Sequence, residues 1–214
     1  MELLYYIATV LGVILVSMTV HEAMHGFMAY YLGDDTAKLQ GRLTLNPIKH
    51  IDPFLTILLP VLLAISGAPV FGGAKPVPFN PMRVRHGEWG AALVAVAGPL
   101  TNLFFAFISF GLLVIFDTSP TLSSIFEIAT VVNLGFFIFN MIPIPPLDGS
   151  RVLYALAPDG IRQVMNMMES MGILLIFAIV LLAGSALGSF MISSINVILA
   201  IFSGIFGVDI SMGV

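Results

Sequence analysis

The sequence predicts an all-α polytopic membrane protein, with about five to six transmembrane helices, a re-entrant segment and a small membrane-associated β element. Three observations lead there. Of 214 residues, 58% are hydrophobic and 9% charged, with a mean hydropathy of +1.05, whereas a typical soluble domain is about 25% charged. Apolar stretches recur at 3–31, 54–67, 89–116, 121–142, 171–184 and 187–206, separated by glycine, proline and charge. All eight lysines and arginines fall in three of the connections between them, and the connections "DTSP" and "AGSALG" carry none.

The stretch 3–31 exceeds the length of about 20 helical residues that crosses a bilayer core. Glu2 stands where a signal peptide carries positive charge, and no small-residue cleavage site follows, so this segment is expected to be retained. The strand-like composition of "LQGRLTLNP" (39–47) marks the β element. Next comes "FLTILLPVLLAISG", only 14 residues with Pro60 in its middle, too short and too broken for an ordinary span. If Lys38, Arg42 and Lys49, then Lys75, Arg83 and Arg85, then Arg151 and Arg162 all stay cytoplasmic, this stretch enters and leaves by the same face. The stretches 89–116, 121–142, 171–184 and 187–206 add four spans. Five full spans result, with the N-terminus outside and the C-terminus inside.

A net charge of −4 with no long basic run argues against nucleic acid as a partner. With no cysteine, disulfides and thiolate metal sites are excluded, and any metal must be held by His, Asp, Glu or neutral oxygen donors.

One such site is visible in residues 21–25, "HEAMH". On a helix, residues four apart share a face, so His21 and His25 can reach one Zn²⁺ while Glu22 turns toward the water beside it. The competing explanation is a helix end with solvated histidines. Membrane context argues against it, because three ionisable side chains at membrane depth are costly without a function. Tyr30 and Tyr31 read as interfacial anchors. Measured back from Tyr31 at 1.5 Å per residue, His21 and His25 lie roughly 9 to 15 Å below that level.

A catalytic zinc needs a third protein ligand. His50 ("NPIKHIDP") and His86 ("MRVRHGEW") lie in polar basic connections and read as solvated loop residues. Glu127 falls on the outer half of its span. Asp148 is the best candidate: it follows Pro143, Pro145 and Pro146, which break the helix near the face that carries His21 and His25. Non-helical backbone at that depth must be buried in protein or line a watery cavity.

At this point the sequence resembles the site-2 protease family of zinc intramembrane metalloproteases. The resemblance rests on H-E-x-x-H, on "GPLTN" (Gly98, Pro99, Asn102), and on Asn140, Pro143, Leu147, Asp148 and Gly149 as an N-x-x-P-x-x-x-L-D-G motif. "GRLTLNPIKHIDP" and "KPVPFNP" resemble the compact prokaryotic branch, without PDZ or CBS domain. The likeness covers roughly residues 10–155. It implies one Zn²⁺ per chain held by His21, His25 and Asp148, with Glu22 as catalytic acid/base. It also implies transmembrane protein substrates cut within or near their spans, in a multi-pass protein of the cell membrane with its active site near the cytoplasmic face. A single domain over 1–214 is expected, with a catalytic core of about 1–157 and C-terminal helices at about 171–206.

Asn102 and Asn140 are candidate substrate or oxyanion donors, against the plainer role of joining helices in a bundle. The Met-rich "VMNMMESMG" reads as packing or an interfacial helix rather than a gate. The alternative function is a non-proteolytic membrane protein that binds or transports metal. Such a protein has no need of Glu22 between the paired histidines and wants further ligands along a pathway.

Overall fold

A computed structural model of the chain describes residues 2–58, 73–116 and 118–208. Its helices are α1 (Glu2–Tyr31), α2 (Thr36–Leu39), α3 (Gly87–Ile115), α4 (Pro120–Asn140), α5 (Gly149–Leu156), α6 (Asp159–Met171) and α7 (Ile173–Phe206). A 3₁₀ turn at Pro47–His50 and a π-helical turn at Pro53–Leu58 lie between α2 and α3. Helices α1, α3, α4 and α7 are long and apolar enough to cross a membrane.

Helix α3 is the hub. On one side it meets α1, where Gly98 faces His21 and His25 and Ala29 clusters with Val94; small residues let two backbones approach closely where lipid removes any hydrophobic drive. Ala29, Leu32, Val84 and Val94 form a buried cluster that holds the end of α1 against the start of α3. On its other side, Ala106 and Phe110 pack with Leu134 and Ile138 of α4 and with Ile195, Leu199 and Phe202 of α7. Pro120 opens α4 at a position where its missing N–H costs nothing.

The stretches 171–184 and 187–206, expected as two spans, meet in the 34-residue run α7, where two helices join across a kink at Ala183 (φ −126°, ψ 19°), the first residue of "AGSALG". With no proline and no charge, the connection bends rather than opening into a loop. One feature differs from the sequence expectation: no strand forms among the described residues. Residues 39–47 spend their hydrogen bonds locally: Arg42 N–H donates to the Ala37 carbonyl, Gly41 takes a positive φ of 63°, and the Asn46 side chain caps the N–H of Ile48. The expected re-entrant stretch, 54–67, lies outside the described residues from 59 onward.

Residues 73–80 join no helix and no ladder, and Pro76, Pro78 and Pro81 bias the residues before them toward extended backbone. Side chains anchor them instead. The Arg42 guanidinium donates to the carbonyls of Lys75 and Pro76, Glu22 accepts from Val77 N–H, and Asp34 accepts from Asn80 N–H.

Candidate active site

His21 and His25 lie in the C-terminal half of α1 and face α3 at Gly98, and both are buried. Each ring is anchored through Nδ1. His25 Nδ1–H donates to the Val94 carbonyl at 2.8 Å, and His21 Nδ1–H donates to Asn102 Oδ1 at 2.6 Å. A carbonyl oxygen only accepts, so the ring proton sits on Nδ1 and the Nε2 lone pair points the other way. The two Nε2 atoms lie 3.0 Å apart.

Gly98 makes this approach possible. A Cβ at that position would stand 2.5 Å from His25 Nε2 and 2.8 Å from His21 Cε1, inside the rings it faces. Gly98 therefore acts in packing, at the metal-facing edge of both imidazoles.

Asp148 reaches the same point by a fold-back of the chain. Helix α4 stops at Asn140, and residues 141–148 return in successive tight turns, with Ile144 N–H on the Ile142 carbonyl and Leu147 N–H on the Ile144 carbonyl. Pro143, Pro145 and Pro146 cannot donate, which prevents the helix from continuing. The return closes at Gly149, where a Cβ would lie 2.3 Å from the Met141 carbonyl oxygen. Asp148 Oδ2 ends 3.3 Å from His21 Nε2 and 3.4 Å from His25 Nε2.

These three ligand atoms fit a zinc ion. Tetrahedral bonds of about 2.0 to 2.1 Å place neighbouring ligand atoms about 3.3 Å apart, close to the 3.0 to 3.4 Å found here. Asp148 Oδ2 is buried with no hydrogen-bond donor among the described residues, and both Nε2 atoms bring lone pairs to the same spot. Acceptors facing acceptors in a buried cluster call for a cation. Behind the ligands, Asn102 and the Val94 carbonyl supply the second layer that orients metal-bound imidazoles.

The other expected site residues fall in different places. Glu22 lies one position round α1, half-buried, with one carboxylate oxygen on Val77 N–H at 2.9 Å. Asn102 is fully buried and both ends of its amide are engaged, by His21 on one side and by Asn133 and the Ser17 carbonyl on the other. It stands behind the metal cluster and has no donor left for a substrate. Asn140 is half-buried and donates to the Phe136 carbonyl of its own helix. His86 is exposed at the start of α3, as expected. His50 is not solvated: it is fully buried, with Nε2 on the Thr44 carbonyl at 2.8 Å, and serves the loop rather than the metal.

Sequence reasoning missed two participants. Val77 contributes through its backbone, which no side-chain motif reveals. Asn133 had a signal, a polar residue in the middle of an apolar span.

Comparison with known proteins agrees with this geometry. The family model for peptidase family M50 matches residues 116–184. A Bacillus subtilis protein named "Putative zinc metalloprotease YwhC" is 42% identical over 204 residues, covering 90% of each chain. The chain belongs to peptidase family M50. This M50 protein is a zinc metalloprotease using one Zn²⁺, and the metal-transport alternative falls away. Four long apolar helices among the described residues make it a multi-pass membrane protein. The Mycolicibacterium smegmatis protein "Putative zinc metalloprotease Rip2" is 35% identical over 145 residues, 65% of this chain and 53% of its own length. The Methanocaldococcus jannaschii "Putative zinc metalloprotease MJ0611" is 47% identical over 60 residues, 28% of this chain and 31% of its own. No solved structure gives a significant match.

Proposed function

We propose that this M50 protein hydrolyses peptide bonds within or near the transmembrane segments of other membrane proteins. His21, His25 and Asp148 hold its zinc, and Glu22 is its catalytic acid/base. The observation that carries this reading is the position of the cluster: His21 and His25 lie on α1, a helix long and apolar enough to cross a membrane. A hydrolytic centre on a span can reach peptide bonds that a soluble enzyme cannot. We place that centre near the cytoplasmic face, because the basic connections gather at the same end of α1, and we assign the catalytic unit to about residues 1–157.

When bound, zinc polarises the scissile carbonyl and lowers the pKa of water toward about 7. Glu22 takes a proton from the attacking water on the oxygen that Val77 leaves free, then delivers it to the leaving amine. The hydrogen bond from Val77 N–H holds the carboxylate in one orientation throughout. Asn102 orients His21. Asn140 remains our candidate for a substrate contact, since it lies on the half-buried end of α4 next to the Asp148 return.

The test uses the whole chain in detergent or liposomes. Glu22→Gln should keep zinc and lose cleavage of single-span substrates by at least about 100-fold, and Asp148→Ala should lose zinc affinity. A Glu22→Gln protein that cuts as fast as wild type overturns the catalytic assignment. Cysteines introduced near residue 75 and labelled from either side test the topology, and outer accessibility there refutes the cytoplasmic placement.

A further inference from the structure

Asn133 sits within α4, 3% exposed, in the otherwise apolar run "VVNLGFF". Its amide nitrogen donates to the Ala129 carbonyl at 2.8 Å, and its oxygen accepts from Asn102 Nδ2 at 2.9 Å. Asn102 Oδ1 in turn accepts from His21 Nδ1 at 2.6 Å. Three helices are joined in one line of hydrogen bonds that ends at the candidate metal.

The direction of that line is set at its far end. The two ends of an asparagine amide have nearly the same shape, so its partners decide which one faces where. The Ala129 carbonyl only accepts, so Asn133 must turn its NH₂ there and its oxygen toward Asn102. An oxygen also only accepts, so Asn102 must turn its NH₂ toward Asn133 and its own oxygen toward His21. That oxygen requires a proton on Nδ1 and leaves the Nε2 lone pair aimed at His25 and Asp148. A flipped Asn102 would offer NH₂ to Nδ1 and drive the ring proton onto Nε2, the atom that must bind metal. His25 needs no such device, because its anchor is the Val94 backbone carbonyl, which cannot flip.

We infer that Asn133 is a positioning residue for zinc binding, fixing the Asn102 amide so that His21 is held as the Nδ1–H tautomer. The Ser17 carbonyl, 3.4 Å from Asn102 Nδ2, assists at longer range. The inference rests on the proposed role of His21 as a zinc ligand. If Asn133 merely tied α4 to α3, its loss would lower stability and leave zinc affinity alone.

Zinc affinity of the full chain, measured by competition with a chelator, separates these. Asn133→Ala is expected to weaken zinc binding about 10- to 100-fold, and Asn133→Asp, which keeps the accepting oxygen, to stay within about threefold of wild type. Asn102→Ala should lose about as much as Asn133→Ala, and the double variant no more than Asn102→Ala alone, because both act through one contact. Wild-type affinity in a folded Asn133→Ala protein, or losses that add in the double variant, overturns the inference. A second measurement needs no variant at Asn133. In zinc-free wild type labelled with ¹⁵N-histidine, the chain's four histidines give few signals. With the rings neutral, His21 should show the Nδ1–H pattern, and an Nε2–H pattern refutes the relay. His21→Ala is the control: unchanged zinc affinity there removes the ligand assignment itself, whereas a loss there beside unchanged Asn133→Ala removes only the relay.

Discussion

The carboxylate of Glu22 accepts a hydrogen bond from the backbone N–H of Val77, 2.9 Å away and 55 residues along the chain. Val77 stands between Pro76 and Pro78, so its N–H is the one donor that this proline-flanked stretch can offer. Its side chain is buried against α1 at Gly26, where a Cβ would come within 3.0 Å of Val77 Cγ1. The extended segment is thus fastened to the helix by both backbone and side chain, directly over the proposed acid/base.

Val77→Pro removes that N–H while keeping the chain extended. Charge-assisted hydrogen bonds are worth about 1.5 to 3 kcal/mol, and an unheld carboxylate spends less time facing water. We expect kcat to fall about tenfold or more with zinc content unchanged. A rise in kcat would mean that the segment blocks Glu22 rather than orienting it.

Gly98→Ala places a methyl group 2.5 Å from His25 Nε2. Neither imidazole can keep its position, so zinc affinity should drop by at least about 100-fold. Gly111→Ala is the contrast: in the same helix, its Cβ meets the Phe206 ring at 2.9 Å, far along α3 from the metal cluster. It should lower thermal stability and leave zinc binding intact. Equal zinc affinity in Gly98→Ala and wild type would refute the packing argument.

Gly149→Ala is expected to break the return that delivers Asp148, since its Cβ would lie 2.3 Å from the Met141 carbonyl oxygen, a backbone atom that cannot step aside. Zinc binding should fall to about the level of Asp148→Ala, with helix content by circular dichroism nearly unchanged. Full zinc occupancy would show that the return has slack.

Asp34 carries a pH dependence. Burial pushes its carboxyl up, but hydrogen bonds from the Thr36 side chain and the Asn80 and Thr36 N–H groups, together with Arg83, outweigh burial and hold it below its ordinary 3.8. A depressed carboxyl contributes stability that is present above the unfolded value and is lost as pH falls through the lower folded value. Asp34→Asn should therefore cost about 2 kcal/mol near neutral pH, and the gap from wild type should close below about pH 3.8. Comparing the two proteins by thermal unfolding across pH cancels acid effects that they share, including loss of metal. A gap that stays constant down to the lowest pH would exclude an ionised Asp34 as the tie.

How far the sequence reaches differs from one residue to the next. Helix periodicity places His21, Glu22 and His25 on neighbouring faces of one helix, and the three prolines before Asp148 require a helix to end there, because both follow from local backbone geometry. The membrane setting follows equally directly from composition. In the final apolar region the glycine-containing connection reads as a break by composition, and the structure kinks there at Ala183, though with no proline or charge it opens no loop. The strand expected at 39–47 did not form, since the residues that favour strands form them only when a neighbouring strand takes up their hydrogen bonds.

What the sequence by itself determined is therefore the membrane-spanning class, the paired histidines with Glu22 between them on one helix, and the helix break before Asp148. Tertiary structure decided the remainder. Asn102 and Asn140 look alike in the sequence, but packing buries one behind His21 and leaves the other half-buried at the end of its helix. Val77 and Asn133 enter the site only because α1, α3, α4 and the extended segment converge. Hydrogen-bond partners separated by 31 to 85 positions are set by how helices pack, and local sequence rules carry no information over that range.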